Sequence, residues 1–197
     1  MEKIFCRSKE IANKYYLWVS HAIELYGIEK YYYERAVMNV MRKEYKKAIA
    51  DLQKSLELFP HNTRTLVQLA EVYCFCQEKD KCQEILQQLR LHELAISDQD
   101  ACIKIVHIFL SYSELVQAKK FAINFMLHNP AEKFARYFCL MAISSYEKDY
   151  IKTMKIFDYL NRSHREDLLV YGKFLQEYQE FQTILSDPGV QKFLKEQ

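Results

Sequence analysis

Apolar positions recur along this chain at helical rather than strand spacing, in segments of about a dozen residues separated by short polar breaks. The clearest stretch is residues 29–62, EKYYYERAVMNVMRKEYKKAIADLQKSLELFPHN. It predicts two short amphipathic helices, roughly 30–42 and 45–58, closed into a hairpin at Arg42–Lys43 and ended by Pro60. Small Ala36 and Ala48 would let the two helices approach closely, with Leu52 and Leu56 filling the seam.

The same arrangement returns at a spacing close to 34 residues. Residues 63–98 repeat it with Leu66, Leu69, Ala70, Tyr73, Cys82, Leu86 and Leu89, starting from Asn62 or Thr63 as helix cap. No proline closes this unit, and the next begins about two residues late, so a longer connection is expected through Leu94–Ser97. Residues 99–132 carry Cys102, Ile105, Val106, Phe109, Ala118, Ala122, Phe125 and Pro130; Pro130 lies 70 residues after Pro60, two repeats plus that excess. A weaker fourth unit, 134–167, has Tyr137, Leu140, Met141, Tyr150, Phe157 and Leu160, but Thr153 where a small alanine is expected. Its connection is expected in the polar run Asn161–Asp167, with Asp167 capping the next helix.

The flanks read as caps. Residues 8–25 form a candidate helix with Ile11, Tyr15, Leu17, Trp18, Ala22 and Leu25 as its apolar positions, Gly27 as its stop and Trp18 expected to be buried. It is an N-terminal cap or the second half of a degenerate repeat. After residue 167 a half-repeat helix is expected over Leu168–Tyr178, with Tyr171, Phe174, Leu175 and Tyr178 spaced for burial. Ser186-Asp187-Pro188 then caps a short helix carrying Val190, Phe193 and Leu194.

Counting Glu29 as position 1, Tyr32 falls at position 4, Ala36 at 8, Tyr45 at 17, Ala48 at 20, Ser55 at 27 and Pro60 at 32. This pattern resembles the tetratricopeptide repeat, and the resemblance covers about 140 of the 197 residues. It implies an all-α fold: a right-handed superhelix (α-solenoid) of about four helical hairpins with N- and C-terminal capping helices, in one domain over 1–197. Two positions depart from the family pattern. Lys43 stands at the turn where glycine is preferred, implying a strained or slightly open turn. Arg35 stands where a packed leucine is usual, so its charge must snorkel or find a partner.

The resemblance also implies a concave groove lined by positions 2, 5, 9, 12 and 13 of each first helix. By that count the contact residues expected for a partner are Tyr33, Val37, Met41, Arg64, Phe75, Ile103, His107, Phe138 and Tyr146. The surface is apolar and aromatic, which points to a peptide or helix of another protein. The expected function is non-enzymatic: scaffold, adaptor or chaperone. The alternative is that the chain covers the groove with its own N- or C-terminal helix, or with a second copy as a self-associating structural subunit. A carboxylate clamp for chaperone tails would need Lys and Asn where this chain has Tyr33 and Val37, or Val67 and Glu71, so that partner is not expected. The apolar groove and three central repeats also resemble type III secretion chaperones that hold translocator proteins.

Composition narrows the rest. Gly and Pro occur three times each, too few for a strand-and-turn fold. A net charge of +2, from 28 basic and 26 acidic residues, gives no field for nucleic acid or an anionic membrane. The six cysteines sit inside helical patterns, no signal-peptide pattern opens the chain, and no apolar run approaches about 18 residues, so a cytoplasmic, intracellular protein is expected. Cys74 and Cys76 would point about 200° apart on a helix, so no metal site is read from them. Of six histidines His107 alone is placed in the groove, without a nucleophile or carboxylate partner, and three isolated glycines make no phosphate loop. No cofactor or catalytic residue is expected.

Overall fold

Scarce helix breakers and steady helical periodicity give helices throughout, and no strand occurs among the described residues. The structure, a computed structural model, describes residues 2–90 and 98–195. Two compact units divide the chain, 1–91 and 92–197. The division falls beside the two-residue excess in the repeat spacing, where the sequence alone suggests one continuous domain. The first unit holds α1 (Glu2–Tyr26), α2 (Glu29–Met41), α3 (Tyr45–Leu58), α4 (Thr63–Phe75) and α5 (Lys79–Arg90). The second holds α6 (Gln99–Ser111), α7 (Leu115–His128), α8 (Lys133–Tyr146), α9 (Tyr150–Ser163), α10 (Arg165–Val170), α11 (Gly172–Glu177), a 3-10 turn (Gln179–Thr183) and α12 (Pro188–Lys195). The expected longer connection at 94–97 lies outside the described residues, as do the side chains of Cys6 and Phe174.

Four hairpins form as the spacing predicts: α2/α3, α4/α5, α6/α7 and α8/α9. Each is closed by small residues where the helices touch. Ala36, Ala48, Ala70, Cys82 and Ala118 are all fully buried. The α4/α5 approach is close enough for the Cys82 thiol to donate to the Ala70 carbonyl at 3.3 Å. Thr153 replaces alanine at this seam in α9 without leaving its hydroxyl unpaired: it donates to the Asp149 carbonyl at 2.8 Å and lies 3.0 Å from the Ser144 hydroxyl.

The turns repeat even more strictly than the seams. Lys43, Gln77, Ser113 and Lys148, at the same place in the four hairpins, all have left-handed backbone with φ of 59°, 59°, 60° and 61°. In each case the following amide reaches back to the preceding helix: Glu44 N to Asn39 O, Glu78 N to Tyr73 O, Glu114 N to Phe109 O and Asp149 N to Ser144 O, at 2.8–3.0 Å. This is the bond that satisfies terminal carbonyls at a tight helix end. Lys43 is therefore a strained turn and not an open one.

Arg35 finds its partner inside the first hairpin. Its Nε and Nη2 donate to the two carboxylate oxygens of buried Asp51 at 2.9 and 2.7 Å, and Asn39 adds a third bond at 3.1 Å. The start of α2 is tied to the α3–α4 connection by Glu29, whose Oε1 accepts from Ser55 Oγ (2.9 Å) and Asn62 Nδ2 (2.7 Å). Asn62 is the α4 cap, its side chain accepting from the Thr65 amide.

Three local expectations change. Trp18 is 54% exposed, stacked on Tyr15 and edge-on to Tyr31, because α1 buries the neighbouring face of Val19, Ala22 and Ile23. The polar run Asn161–Asp167 is not a loop: α9 continues to Ser163 and α10 starts at Arg165, placing Asp167 within the first turn of α10 and not at its cap. The single helix expected over 168–178 is broken at Tyr171 into α10 and α11. The C-terminal cap matches: Asp187 Oδ1 accepts from the Gly189 and Val190 amides at 2.7 and 3.3 Å, and Gly27 ends α1 with φ 56°.

Candidate partner-binding surfaces

In the N-terminal unit the five residues expected to meet a partner retain surface. α2 presents Tyr33 and Val37 half-buried, and Met41 at its end is 68% exposed. On α4 the exposed Arg64 guanidinium lies 4.9 Å from the Tyr33 ring centroid, a cation–π contact that holds the tyrosine ring in place. Phe75 is half-buried, tilted against Tyr45 at 5.8 Å. Between Arg64 and Phe75, α4 is buried from Thr65 to Cys74, including the groove positions Val67, Glu71 and Cys74. The Glu71 carboxylate accepts from Gln68 at 2.7 Å, so this buried charge has at least one partner.

The C-terminal unit differs. Ile103 and His107 on α6 and Phe138 on α8 are buried at 2%, 5% and 1% exposure, and only Tyr146 stays half-buried. His107 and Phe138 do not face an open groove because the chain's own residues 171–184 lie over them. Tyr178 stacks flat on the His107 ring, centroids 3.4 Å apart and planes 3° apart. Glu180 places its carboxylate oxygens 3.0 and 3.2 Å from His107 Nδ1, and Ser111 Oγ lies 3.4 Å from His107 Nε2. Phe181 meets Phe138 edge-on at 5.5 Å, and Tyr171 lies against both Phe134 and Phe138. Ser145, from α8, donates to the Glu180 carbonyl at 2.6 Å and lies 2.8 Å from the Thr183 hydroxyl. The Tyr171 hydroxyl donates to Asp100 at the start of α6, and burial followed by that bond pushes the phenol well above the ordinary tyrosine range.

Of the expected contact residues, then, Ile103, His107 and Phe138 belong to internal packing in this structure. Glu180, Phe181 and Thr183 complete that face and were not legible as such. Aromatic Tyr171 and Tyr178 signal burial, but nothing in residues 179–183 says that a glutamate there pairs with a histidine on α6.

Reactive groups are sparse. Among the described residues no group of three His, Cys, Asp or Glu side chains is placed to hold a metal ion. Cys74, Cys76, Cys82, Cys102 and Cys139 form no disulfide with one another. Cys102 and Cys139 sit 3.7 Å apart in the core, and burial raises the Cys102 thiol well above the usual range, which makes it a poor nucleophile. No helix among the described residues is long and apolar enough to cross a membrane.

Residues 40–95 match the tetratricopeptide repeat family model. No curated protein matches the chain. The recurrent left-handed turns carry the same hairpin beyond the matched stretch, to Ser113 and Lys148. The chain is an all-α helical-repeat protein, and its residues 40–95 are similar to the tetratricopeptide repeat.

Proposed function

We propose that this chain is a non-enzymatic protein-binding module, acting as scaffold, adaptor or chaperone, and that its N-terminal unit carries the partner surface. One observation supports this placement above the others. Tyr33, Val37, Met41 and Phe75 keep accessible apolar surface on α2 and α4, with Arg64 beside them, while His107 and Phe138 are covered by their own chain. An apolar patch with an aromatic–arginine pair fits an amphipathic helix or extended segment of another protein. The near-balanced charge supports a protein partner over nucleic acid, and cysteines that form no disulfide with one another support a reducing compartment such as the cytoplasm.

The test is affinity capture with the full chain beside a Tyr33→Glu/Phe75→Glu variant that melts like wild type. Loss of one specific protein from the variant supports the α2/α4 surface. Identical capture by both moves the binding site elsewhere.

A second reading, a self-associating structural subunit, draws on α1. Ile11, Tyr15, Trp18 and Leu25 follow one another at helical spacing and are 61%, 44%, 54% and 60% exposed. Sedimentation of wild type against Ile11→Glu/Leu25→Glu separates the two: a dimer lost in the variant favours the subunit, a monomer in both favours the binding module.

A further inference from the structure

We propose that the face of α6 and α8 in the C-terminal unit is a recognition site for a short aromatic–x–Glu–Phe segment. Residues 178–184 of this chain are its resident occupant, displaced by a partner segment of the same chemistry. This extends the protein-binding reading to the second unit and is tested with substitutions in that unit alone.

The occupant has little structure of its own. It is a five-residue 3-10 turn after the six-residue α11, and its N-cap residue makes no side-chain capping bond. Pieces this short do not hold a helical conformation unaided, so the order of residues 178–184 comes from the surface beneath them. In this respect the segment behaves as a bound peptide covalently attached to its receptor.

Its attachment is also specific in the way peptide recognition is. Two aromatic anchors, Tyr178 on His107 and Phe181 against Phe138, are fully buried. Between them the Glu180 carboxylate faces His107 from α6, while Ser145 from α8 holds the main-chain carbonyl of the same residue. The His107 and Glu180 side chains are only 6% and 2% exposed. Burying such a pair costs desolvation of both groups, and an apolar pair of similar size would stabilise a permanent core equally well or better. What the polar pair adds is register: Glu180 fits at one place on the face.

The segment can leave without unseating the chain end. α12 is held separately, by Tyr150 donating to Asp187 at 2.5 Å and by Phe193 edge-on to Phe157 at 5.6 Å. Displacement of 178–184 leaves a loop between α11 and α12.

The experiment uses the full chain and a fluorescent synthetic peptide of residues 176–187, read by anisotropy. The Glu180→Ala/Phe181→Ala variant, whose own segment is weakened while the receiving face is intact, should bind the peptide at least about ten-fold more tightly than wild type. Adding His107→Ala should remove that gain. A folded double variant that binds the peptide no better than wild type overturns the proposal. If the double variant does not fold, amide exchange on the wild-type chain decides. The Phe181 and Ile184 amides, bonded to the Tyr178 and Phe181 carbonyls, should exchange at least about ten-fold faster than those of α6 and α8. Exchange as slow as α6 and α8 would make the segment a permanent part of the core and refute its release.

Discussion

Removing Asp51 should destabilise the N-terminal unit less than removing Arg35, although the two share the same hydrogen bonds. Asp51 accepts two bonds from Arg35 and one from Asn39, and the side chains are 8% and 25% exposed respectively. Breaking a fully buried pair by deleting one partner costs about 3–5 kcal/mol, most of it the desolvation of the orphaned charge. In Asp51→Ala the orphan is Arg35, a quarter of which reaches water, so the loss should be about 2–3 kcal/mol. In Arg35→Met the orphan is a carboxylate with little access to water and only the Asn39 amide for company, so the full range of about 3–5 kcal/mol applies. The double variant leaves no buried charge. It should fall short of wild type by only about 1–2 kcal/mol, and the two single losses should exceed the double by at least about 2 kcal/mol. The assay is urea unfolding followed by Trp18 fluorescence, since the chain has one tryptophan and it lies in α1 of this unit. Single losses that simply add would mean the pair is uncoupled. An Asp51→Ala transition coinciding with wild type would mean that Arg35 does not depend on Asp51.

Ala36→Leu should cost about 1–3 kcal/mol in the same assay, because Ala36 is fully buried in a unit whose helix seams are closed by small residues; an unchanged transition would mean the helix pair is not tightly packed there. Lys43→Gly and Gln77→Gly should each stabilise by about 0.5–1 kcal/mol, since a glycine relieves the left-handed strain but loses some of the gain to unfolded-state entropy. A lower melting temperature for either variant would refute the strain. Asp187 is held below the ordinary aspartate range, first by the Tyr150 hydroxyl and then by the Gly189 and Val190 amides. A depressed carboxyl contributes stability that is present above its ordinary value and lost as pH falls through the lowered one. The α12 amides should therefore lose protection on acidification below about pH 4, and Asp187→Asn should flatten that dependence. Protection independent of pH in wild type would refute the capping role.

The sequence alone determined the hairpins and their register. Small residues at 36, 48, 70, 82 and 118 can be recognised without a structure because a close helix crossing excludes anything larger. The four turns are equally local: each needs one left-handed residue at a fixed distance from the helix start, and the chain supplies Lys43, Gln77, Ser113 and Lys148 there without glycine. Local pattern fails where two answers look alike. The run 161–167 is polar because it is an exposed helix surface and not because it is a loop, and composition does not separate the two. α1 carries apolar residues on two adjoining faces, so only its packing on α2 decided that Val19 and Ile23 go inside while Trp18 stays out. The same limit applies to the site. Positions on the inner face of each first helix follow from the repeat, but whether they meet solvent depends on contacts between residues far apart in the chain. His107 meets Glu180 across 73 residues, and that pairing exists only once α6, α8 and the segment after α11 are folded together.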